Sequence, residues 1–291
     1  MKSNYMNYFK EGKLYQWDKN RDILTITNTT IQEEFCLDQK AMDMFLKFNA
    51  PEIKVGKTLQ VQSQNLKANI KLCNEPLIMP NMEFTSSFMV ELNKLKVANK
   101  FVSTSPKKPI LTGVNISNGF IAATDSFSAY RAECSSECNI TLPSKYIDAL
   151  VGGYKEVEIK CNSNTVLCEI GDTIYIGKLL EGTYPNVAGL FRDRINQVTV
   201  NKEDLKSLLA FSNSKEDYVI LGPNSLTIEG ENNFEAELDL NINCEIWIPY
   251  ERLAKAINGI NEEEIVIKYD DGSKPIYINE DCLLLPVLVV K

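Results

Sequence analysis

The 291-residue sequence contains no histidine. This absence excludes every mechanism that needs an imidazole, including Ser-His-Asp and Cys-His catalysis and a histidine general base. It also excludes the zinc sites that mix cysteine and histidine ligands. Carboxylates and lysines remain available for chemistry, so the composition disfavours catalysis without ruling it out.

Several other signals are absent as well. No apolar run approaches the roughly 20 residues of a membrane-spanning helix, since the most apolar stretch covers only residues 283–290. The N-terminal residues lack the apolar core of a signal peptide. Neither the GxxxxGK[ST] nor the GxGxxG phosphate-binding pattern occurs. We therefore expect a cytoplasmic protein that binds no cofactor.

The eight cysteines do not form a metal-binding pattern, because no CxxC pair occurs among them. Cys134 and Cys138 have a loose metal-like spacing, but no second pair completes four ligands. Free thiols in cores and strands are the simpler interpretation, and we expect no metal.

The formal net charge of −8 bears on nucleic-acid binding. A protein that grips DNA tightly is usually basic, because its affinity comes from neutralising phosphates. An acidic chain can still act on DNA if its lysines are confined to one surface.

Two stretches about a hundred residues apart resemble each other. Each has a strand end marked by proline (Pro143 and Pro249), a short amphipathic helix, and an alternating strand (Glu156–Lys160 and Glu264–Lys268). A repeat of domain length predicts duplicated domains rather than one enzyme fold around one active site.

The predicted element order supports this duplication. From residue 84 onward, strand, helix and three strands recur, which predicts an α+β fold of repeated β-α-β-β-β domains. The first 80 residues follow the same order with one or two strands missing, after a predicted helix at Asn4–Phe9. The predicted domains are therefore a reduced first domain at 1–80, a middle domain at 81–190 and a C-terminal domain at 191–291.

Three stretches carry a family resemblance. The first joins Leu111–Val114 to Ala122–Ser126, the second is Lys178–Asn186, which reads KLLEGTYPN, and the third is Leu283–Val287, which reads LLLPV. In this order and spacing they resemble the bacterial sliding clamps, the β subunits of DNA polymerase III.

The resemblance implies a fold and a function. Members of the family form a closed ring, usually a head-to-tail homodimer, with helices lining the hole and sheets on the outside. On this basis the chain is expected to be a non-catalytic processivity factor. It would encircle double-stranded DNA without sequence specificity and tether DNA polymerase and clamp-loader subunits through short apolar peptides.

The resemblance also implies two surfaces. Basic residues on four helices are expected to face the DNA: Lys94, Lys96, Lys100, Lys145, Lys202, Lys206, Arg252 and Lys255. A pocket for partner peptides is expected from residues of the middle domain, the linker and the C-terminal strand: Leu111, Thr124, Ser126, Phe127, Tyr130, Leu190, Ile195, Leu283, Leu284, Leu285, Pro286 and Val287.

Two alternatives remain open. A monomeric clamp-like decoy or adaptor could bind polymerase or clamp-binding peptides without encircling DNA. A metal-dependent hydrolase or nuclease could use the carboxylates of Asp270, Asp271, Glu280 and Asp281. Because Asp270-Asp271-Gly272 lies between two predicted strands, a hairpin turn explains these residues better.

Overall fold

The structure is a computed structural model that describes residues 5–20, 22–212, 214, 216–223, 225–230, 233–237, 240–260 and 262–288. It divides into two compact units, each assembled from two separate stretches of sequence. The first comprises Met1–Leu92 and Leu142–Glu181, and the second comprises Asn93–Thr141 and Gly182–Lys291.

The elements follow one another in a regular order. The first stretch contains β1 Tyr5–Lys10, β2 Lys13–Asp18, β3 Ile23–Asn28, β4 Phe35–Asp38, α1 Gln39–Phe45, β5 Glu52–Val55, β6 Thr58–Ser63 and β7 Leu66–Lys71. Next come β8 Ser86–Glu91, α2 Leu92–Ala98, β9 Gly113–Ser117, β10 Phe120–Thr124, β11 Ser128–Glu133, β12 Ile140–Pro143, α3 Ser144–Ala149, β13 Glu156–Cys161, β14 Thr165–Ile170 and β15 Thr173–Lys178. The last are β16 Asn196–Asn201, α4 Lys202–Leu209, β17 Tyr218–Leu221, β18 Ser225–Glu229, β19 Phe234–Glu237, β20 Ile246–Pro249, α5 Tyr250–Ile257, β21 Glu264–Tyr269, β22 Ile276–Ile278 and β23 Cys282–Leu284.

This order confirms the predicted α+β fold of repeated β-α-β-β-β motifs. Within the described residues, every α-helix directly follows a strand and precedes three more, so five complete motifs begin at β4, β8, β12, β16 and β20. The strands β1 to β3 precede the first of them. The opening 80 residues thus contain one α-helix, whereas each later pair of motifs contains two.

The first unit contains two antiparallel sheets. The larger has eight strands in the order β4-β1-β2-β3-β15-β14-β13-β8, and the smaller has the order β5-β6-β7. The larger sheet is continuous because β3 pairs with β15 over five residue pairs, from Thr173 opposite Thr27 to Gly177 opposite Ile23. Strands from the predicted first and middle domains therefore share one sheet.

The second unit repeats this arrangement. Its larger sheet has the order β12-β9-β10-β11-β23-β22-β21-β16, and its smaller sheet has the order β19-β18-β17-β20. Here β11 pairs with β23, so that strands of the predicted middle and C-terminal domains join in the same way. The domain boundaries at 80 and 190 stay a prediction, since each compact unit contains segments from two of the predicted domains.

Local sequence explains where the helices begin and why they stay short. The Asp38 carboxylate accepts a hydrogen bond from the Ala41 N–H at 2.8 Å and caps α1. The Asn201 side chain accepts from the N–H groups of Glu203 and Asp204 and caps α4 in the same way. Each α-helix then turns between two and four apolar residues inward, such as Leu253, Ala256 and Ile257 on α5.

One element differs from its prediction. The predicted helix at Asn4–Phe9 is wrong, because residues 5–10 form β1; Asn4 itself lies outside the described residues. The strand is buried on both faces, so its apolar residues do not alternate with polar ones. Without this alternation, its sequence can be mistaken for that of a helix.

Candidate partner-binding surface

The C-terminal strand provides the framework of the predicted pocket. β23 pairs with β11 so that Ser128 lies opposite Leu284 and Ala129 opposite Leu283. The pairing continues beyond the strand, where the Leu285 N–H donates to the Phe127 carbonyl at 2.9 Å. Two residues later the Val287 N–H donates to the Trp247 carbonyl at 2.8 Å. Residues 285–287 are thus held between the 124–128 loop and β20.

An apolar cluster lies beneath this segment. Ala122, Ala129, Val187, Tyr277 and Leu283 are buried together, with Tyr184, Phe191 and Leu285 packed partly buried against them. The linker residues come from the GTYPN stretch and its continuation. The cluster fixes the position of the C-terminal segment against the middle of the sheet.

Tyr184 ties the linker to the 124–128 loop. Its hydroxyl accepts a hydrogen bond from the Thr124 N–H at 3.1 Å and donates to the Gly113 carbonyl at 3.2 Å. Burial raises the pKa of Tyr184 to about 12, so the hydroxyl stays protonated and remains a donor at neutral pH.

Asp125 organises the loop itself. Its carboxylate accepts from the N–H groups of Phe127 and Ser128 at 2.9 and 2.7 Å, while Ser126 has a left-handed backbone with φ of 80°. The Lys255 ammonium lies 2.7 Å from the same carboxylate and also donates to the Ser128 hydroxyl. Burial acts to raise the pKa of Asp125, but Lys255 and the two backbone donors outweigh it and hold the pKa below its ordinary value.

Arg252, one turn before Lys255, contacts the same loop and the C-terminal segment. Its guanidinium lies 4.7 Å from the centre of the Phe127 ring and donates to the Leu285 carbonyl at 2.8 Å. The Phe127 side chain remains 55% exposed. Phe127, Arg252 and residues 285–287 therefore form one apolar surface with a cationic edge, which we call the 127/285 surface.

The structure brings many of the predicted pocket residues together. Thr124, Ser126 and Phe127 form the loop, and Leu283 to Val287 run beside it. Tyr130 and Leu284 are buried in the sheet beneath these residues. The Tyr130 ring stacks on the Phe101 ring, and the ring centres are 5.6 Å apart. Tyr130 and Leu284 can support the surface but cannot contact a ligand directly.

The remaining predicted pocket residues are not part of the loop or of the C-terminal segment. Leu111 is buried in a short 3-10 helix at Pro109–Thr112. Leu190 is half-exposed, and its carbonyl accepts from the Tyr277 hydroxyl at 2.9 Å. Ile195 is 87% exposed, and its N–H donates to Asp270 at 3.1 Å. The contacts of the described residues do not connect Ile195 with the 127/285 surface.

The six predicted DNA-facing lysines that precede Arg252 in the sequence differ in their contacts. Four of the ammonium groups donate to backbone carbonyls: Lys94 (to Glu133), Lys100 (to Asn258), Lys145 (to Asn20) and Lys202 (to Ile260). Lys96 is exposed on α2, and Lys206 pairs with the exposed Glu203 at 3.2 Å.

Arg252 and Lys255 both have partners inside the protein, because Arg252 donates to the Leu285 carbonyl and Lys255 pairs with Asp125. Their place in the DNA-facing set stays a prediction, and the proposal below uses the other six residues. Their spacing of three residues on one helix face was visible in the sequence. The sequence did not show that this face meets a loop about 125 residues away.

Three of the four carboxylates of the hydrolase alternative have structural partners. Asp270 forms an ion pair with Arg194 at 2.7 Å, and Glu280 pairs with Lys268. Asp271 accepts from the N–H groups of Ser273 and Lys274, as expected of a turn between paired strands. Among the described residues, no three cysteine, aspartate or glutamate side chains come close enough to hold a metal ion.

The α-helices of the described residues contain six to eight residues, and no helix among these residues could cross a membrane.

Comparisons with known proteins agree with the family resemblance. No family model matches the sequence. The chain is 32% identical over 160 residues to the beta sliding clamp of Staphylococcus aureus, and 31% identical over 160 residues to that of Staphylococcus epidermidis. Each alignment covers 50% of this chain and 40% of the relative, so the match spans less than half the length of these curated relatives.

The similarity of fold extends much further. A putative DNA polymerase III beta subunit from Eubacterium rectale has a TM-score of 0.82 with 15% identity, over 98% of this chain and 91% of that one. The DNA polymerase sliding clamp from Bacillus subtilis has a TM-score of 0.80 with 17% identity, over 99% and 91%. The chain is thus similar in sequence to bacterial beta sliding clamps over half of its length, and it shares the fold of DNA polymerase III beta subunits over nearly all of it.

Proposed function

We propose that this protein is a sliding clamp, a ring that encircles duplex DNA and tethers DNA polymerase and other partners to it. The observation that carries the proposal is the agreement between two comparisons, one of sequence over half the chain and one of fold over nearly all of it. On this proposal the protein works by binding and needs no catalytic group. Its place of action is the cytoplasm, where bacterial DNA lies.

The charge distribution supports a weak, sliding contact with DNA. A net charge of −8 disfavours a tight grip on phosphates, whereas a topological hold does not need one. The retained lysines Lys94, Lys96, Lys100, Lys145, Lys202 and Lys206 all lie on helices or directly after one. We propose that these ammonium groups face the duplex, where they give a salt-sensitive attraction without sequence readout.

The 127/285 surface supports a peptide-binding role. We propose that a short extended peptide places apolar side chains against Phe127 and Leu285. Burying two or three apolar side chains contributes roughly 1.5–3 kcal/mol each before ordering costs, which corresponds to about micromolar affinity. Affinity of that order lets partners exchange on one ring.

Ring closure is proposed through the smaller sheets. The strands β5, β7 and β19 lie at sheet ends and carry backbone groups that could pair with a second copy. Phe234, the first residue of β19, stacks on Phe211 with ring centres 5.1 Å apart. Phe211 remains 54% exposed and Phe234 37% exposed. Exposed aromatic residues next to an edge strand are typical of an interface.

Light scattering tests the assembly. We expect a mass of twice the 32.9 kDa chain at micromolar concentration, as a head-to-tail dimer requires. The double variant Phe211→Ser/Phe234→Ser should shift the protein toward monomer, while Phe127→Ser should leave the mass unchanged. A monomer at every concentration would contradict the ring and support the decoy alternative, which the comparisons do not favour.

A further inference from the structure

Two cysteines of the first unit lie side by side at a sheet edge. Cys36 lies in β4, the end strand of the eight-stranded sheet, with β1 on its inner side. Cys73 follows β7, and its N–H donates to the Cys36 carbonyl at 2.9 Å. The segment around Cys73 therefore lies next to β4 at the edge of the sheet and is joined to it by this backbone hydrogen bond.

Both side chains lie on the same face of this sheet. Cys36 is buried with Met6 and Tyr8, and Cys73 and Trp17 pack against the same cluster. Hydrogen-bonded neighbouring strands lie about 4.7–4.9 Å apart. A disulfide needs Cα atoms about 4.4–6.8 Å apart and side chains that point the same way. A bond between the two sulfurs therefore requires little backbone movement.

The two thiols differ in accessibility. Cys73 is partly exposed, whereas Cys36 is buried. Burial raises the pKa of Cys36 to about 12, and the adjacent Cys73 adds to the rise. Because the thiolate is the nucleophile, the more accessible Cys73 is the sulfur that reacts first with a reagent from solution.

We propose that Cys36 and Cys73 are an oxidation site that forms a reversible intramolecular disulfide, with a small-molecule disulfide as the oxidant. The Cys73 thiolate attacks the oxidant, forms a mixed disulfide and releases one small thiolate. The Cys36 sulfur, on losing its proton to solvent, attacks the Cys73 sulfur and releases the second small thiolate. The protein loses two electrons and two protons, and the oxidant becomes two thiols.

The bond would fix the segment that follows Cys73. This segment crosses the same face of the sheet, where the Tyr8 hydroxyl donates to the Pro76 carbonyl at 3.1 Å and Phe84 packs near Leu24. Ile78 is 66% exposed beside a cleft of about 310 Å³ lined partly by Trp17. A disulfide at Cys73 would hold the start of this segment against the sheet and restrict the movement of the segment away from the sheet.

The test is oxidation of the full chain in oxidised glutathione, followed by tryptic peptide mapping without reduction. We expect a linked peptide pair that contains Cys36 and Cys73, an intact mass lower by two hydrogen atoms, and reversal by dithiothreitol. Closing the 36–73 loop should also raise the Tm by several degrees, because it restricts the unfolded chain. Cys73→Ser should abolish the linked pair and the Tm shift.

Control variants separate this site from general thiol oxidation. Cys134→Ser removes a partly exposed thiol of the second unit and should leave the Cys36–Cys73 pair intact. Because Cys73 is partly exposed, Cys73→Ser is expected to fold even if a polar replacement of the buried Cys36 does not. Linkage of other cysteines, or glutathione retained on Cys73 without closure to Cys36, would overturn the proposal.

Discussion

At the scale of single residues, Phe127 and Leu285 best illustrate the proposed partner site. The Leu285 backbone is bonded to Phe127, and the Arg252 guanidinium contacts both residues. Phe127 leaves more than half of its side chain in water, although an aromatic side chain of this size is usually buried. An exposed aromatic ring held by a cation is well placed to receive an apolar partner.

Phe127→Ala should therefore weaken the binding of apolar clamp-binding peptides by about tenfold, because roughly 1.5–3 kcal/mol of apolar burial is lost and partly compensated. Fluorescence anisotropy with a labelled peptide measures this. Tyr154→Ala is the matched control, since Tyr154 is an aromatic residue of the first unit that is 55% exposed. Equal affinity of wild type and Phe127→Ala would remove Phe127 from the site.

The Asp125–Lys255 pair should affect stability in a way that depends on pH. The pKa of Asp125 is lower in the folded chain than its ordinary value of about 3.9. The stability it contributes is therefore present above about pH 4 and lost as the pH falls through the lower folded pKa.

Denaturant unfolding of Asp125→Asn, Lys255→Met and the double variant tests the pair. Each single variant should cost about 1–3 kcal/mol at pH 7, because it leaves a partly buried partner unpaired. The double variant should cost less than the sum of the two. Additive costs, or wild-type and Asp125→Asn curves with the same pH dependence below pH 4, would show that the pair does not couple.

At the scale of elements, the sequence was informative where a strand end is followed by a short helix. Pro143 and Pro249 mark the starts of α3 and α5, and the repeated strand, helix and three strands were predicted from alternation alone. These signals are local, because the spacing of apolar residues and the fixed φ angle of proline depend only on residues near each other in the sequence.

The sequence was uninformative where burial or partner choice depends on distant residues. β1 is buried on both faces, so its pattern suggested a helix. The basic face of α5 meets the 124–128 loop, and the sequence alone did not show this contact of Arg252 and Lys255. The pairings of β3 with β15 and of β11 with β23 join segments more than a hundred residues apart, and no local pattern specifies them.

The position of β23 makes it essential to the second unit. It lies between β11 and β22 in the interior of the eight-stranded sheet, and Leu284 is fully buried. Ending the chain after Asp281 should expose the backbone groups of both neighbours. Hydrogen exchange should then show loss of protection in β11 and β22, while the sheets of the first unit stay protected.

Ending the chain after Leu288 is the control for this truncation, because it retains β23 and the bond from Val287 to Trp247. It should preserve protection in β11 and β22. Protection retained in these strands after the longer truncation would mean that β23 is not needed to complete the sheet.

At the scale of the whole molecule, an acidic chain that acts on DNA needs its basic residues in the right place. Replacing Lys96, Lys100 and Lys206 with glutamine should lower the affinity for duplex DNA and reduce the salt dependence of binding, because fewer counterions are released. The matched control replaces Lys13, Lys160 and Lys178 with glutamine, because these three lysines lie on strands of the larger sheet of the first unit. Electrophoretic or anisotropy titrations at several salt concentrations measure the affinity and its salt dependence for both triple variants. An equal effect of the two triple variants would contradict the proposed DNA-facing surface.

The central claim is that the protein holds DNA by its topology, and retention on circular DNA tests it most directly. The protein is assembled on nicked circular DNA with a bacterial clamp loader, and the complex is isolated by gel filtration before and after a single restriction cut. We predict that the protein stays on the intact circle at high salt and is lost once the cut creates free ends. Equal retention on circular and linear DNA, or loss from both at the same salt concentration, would contradict the account.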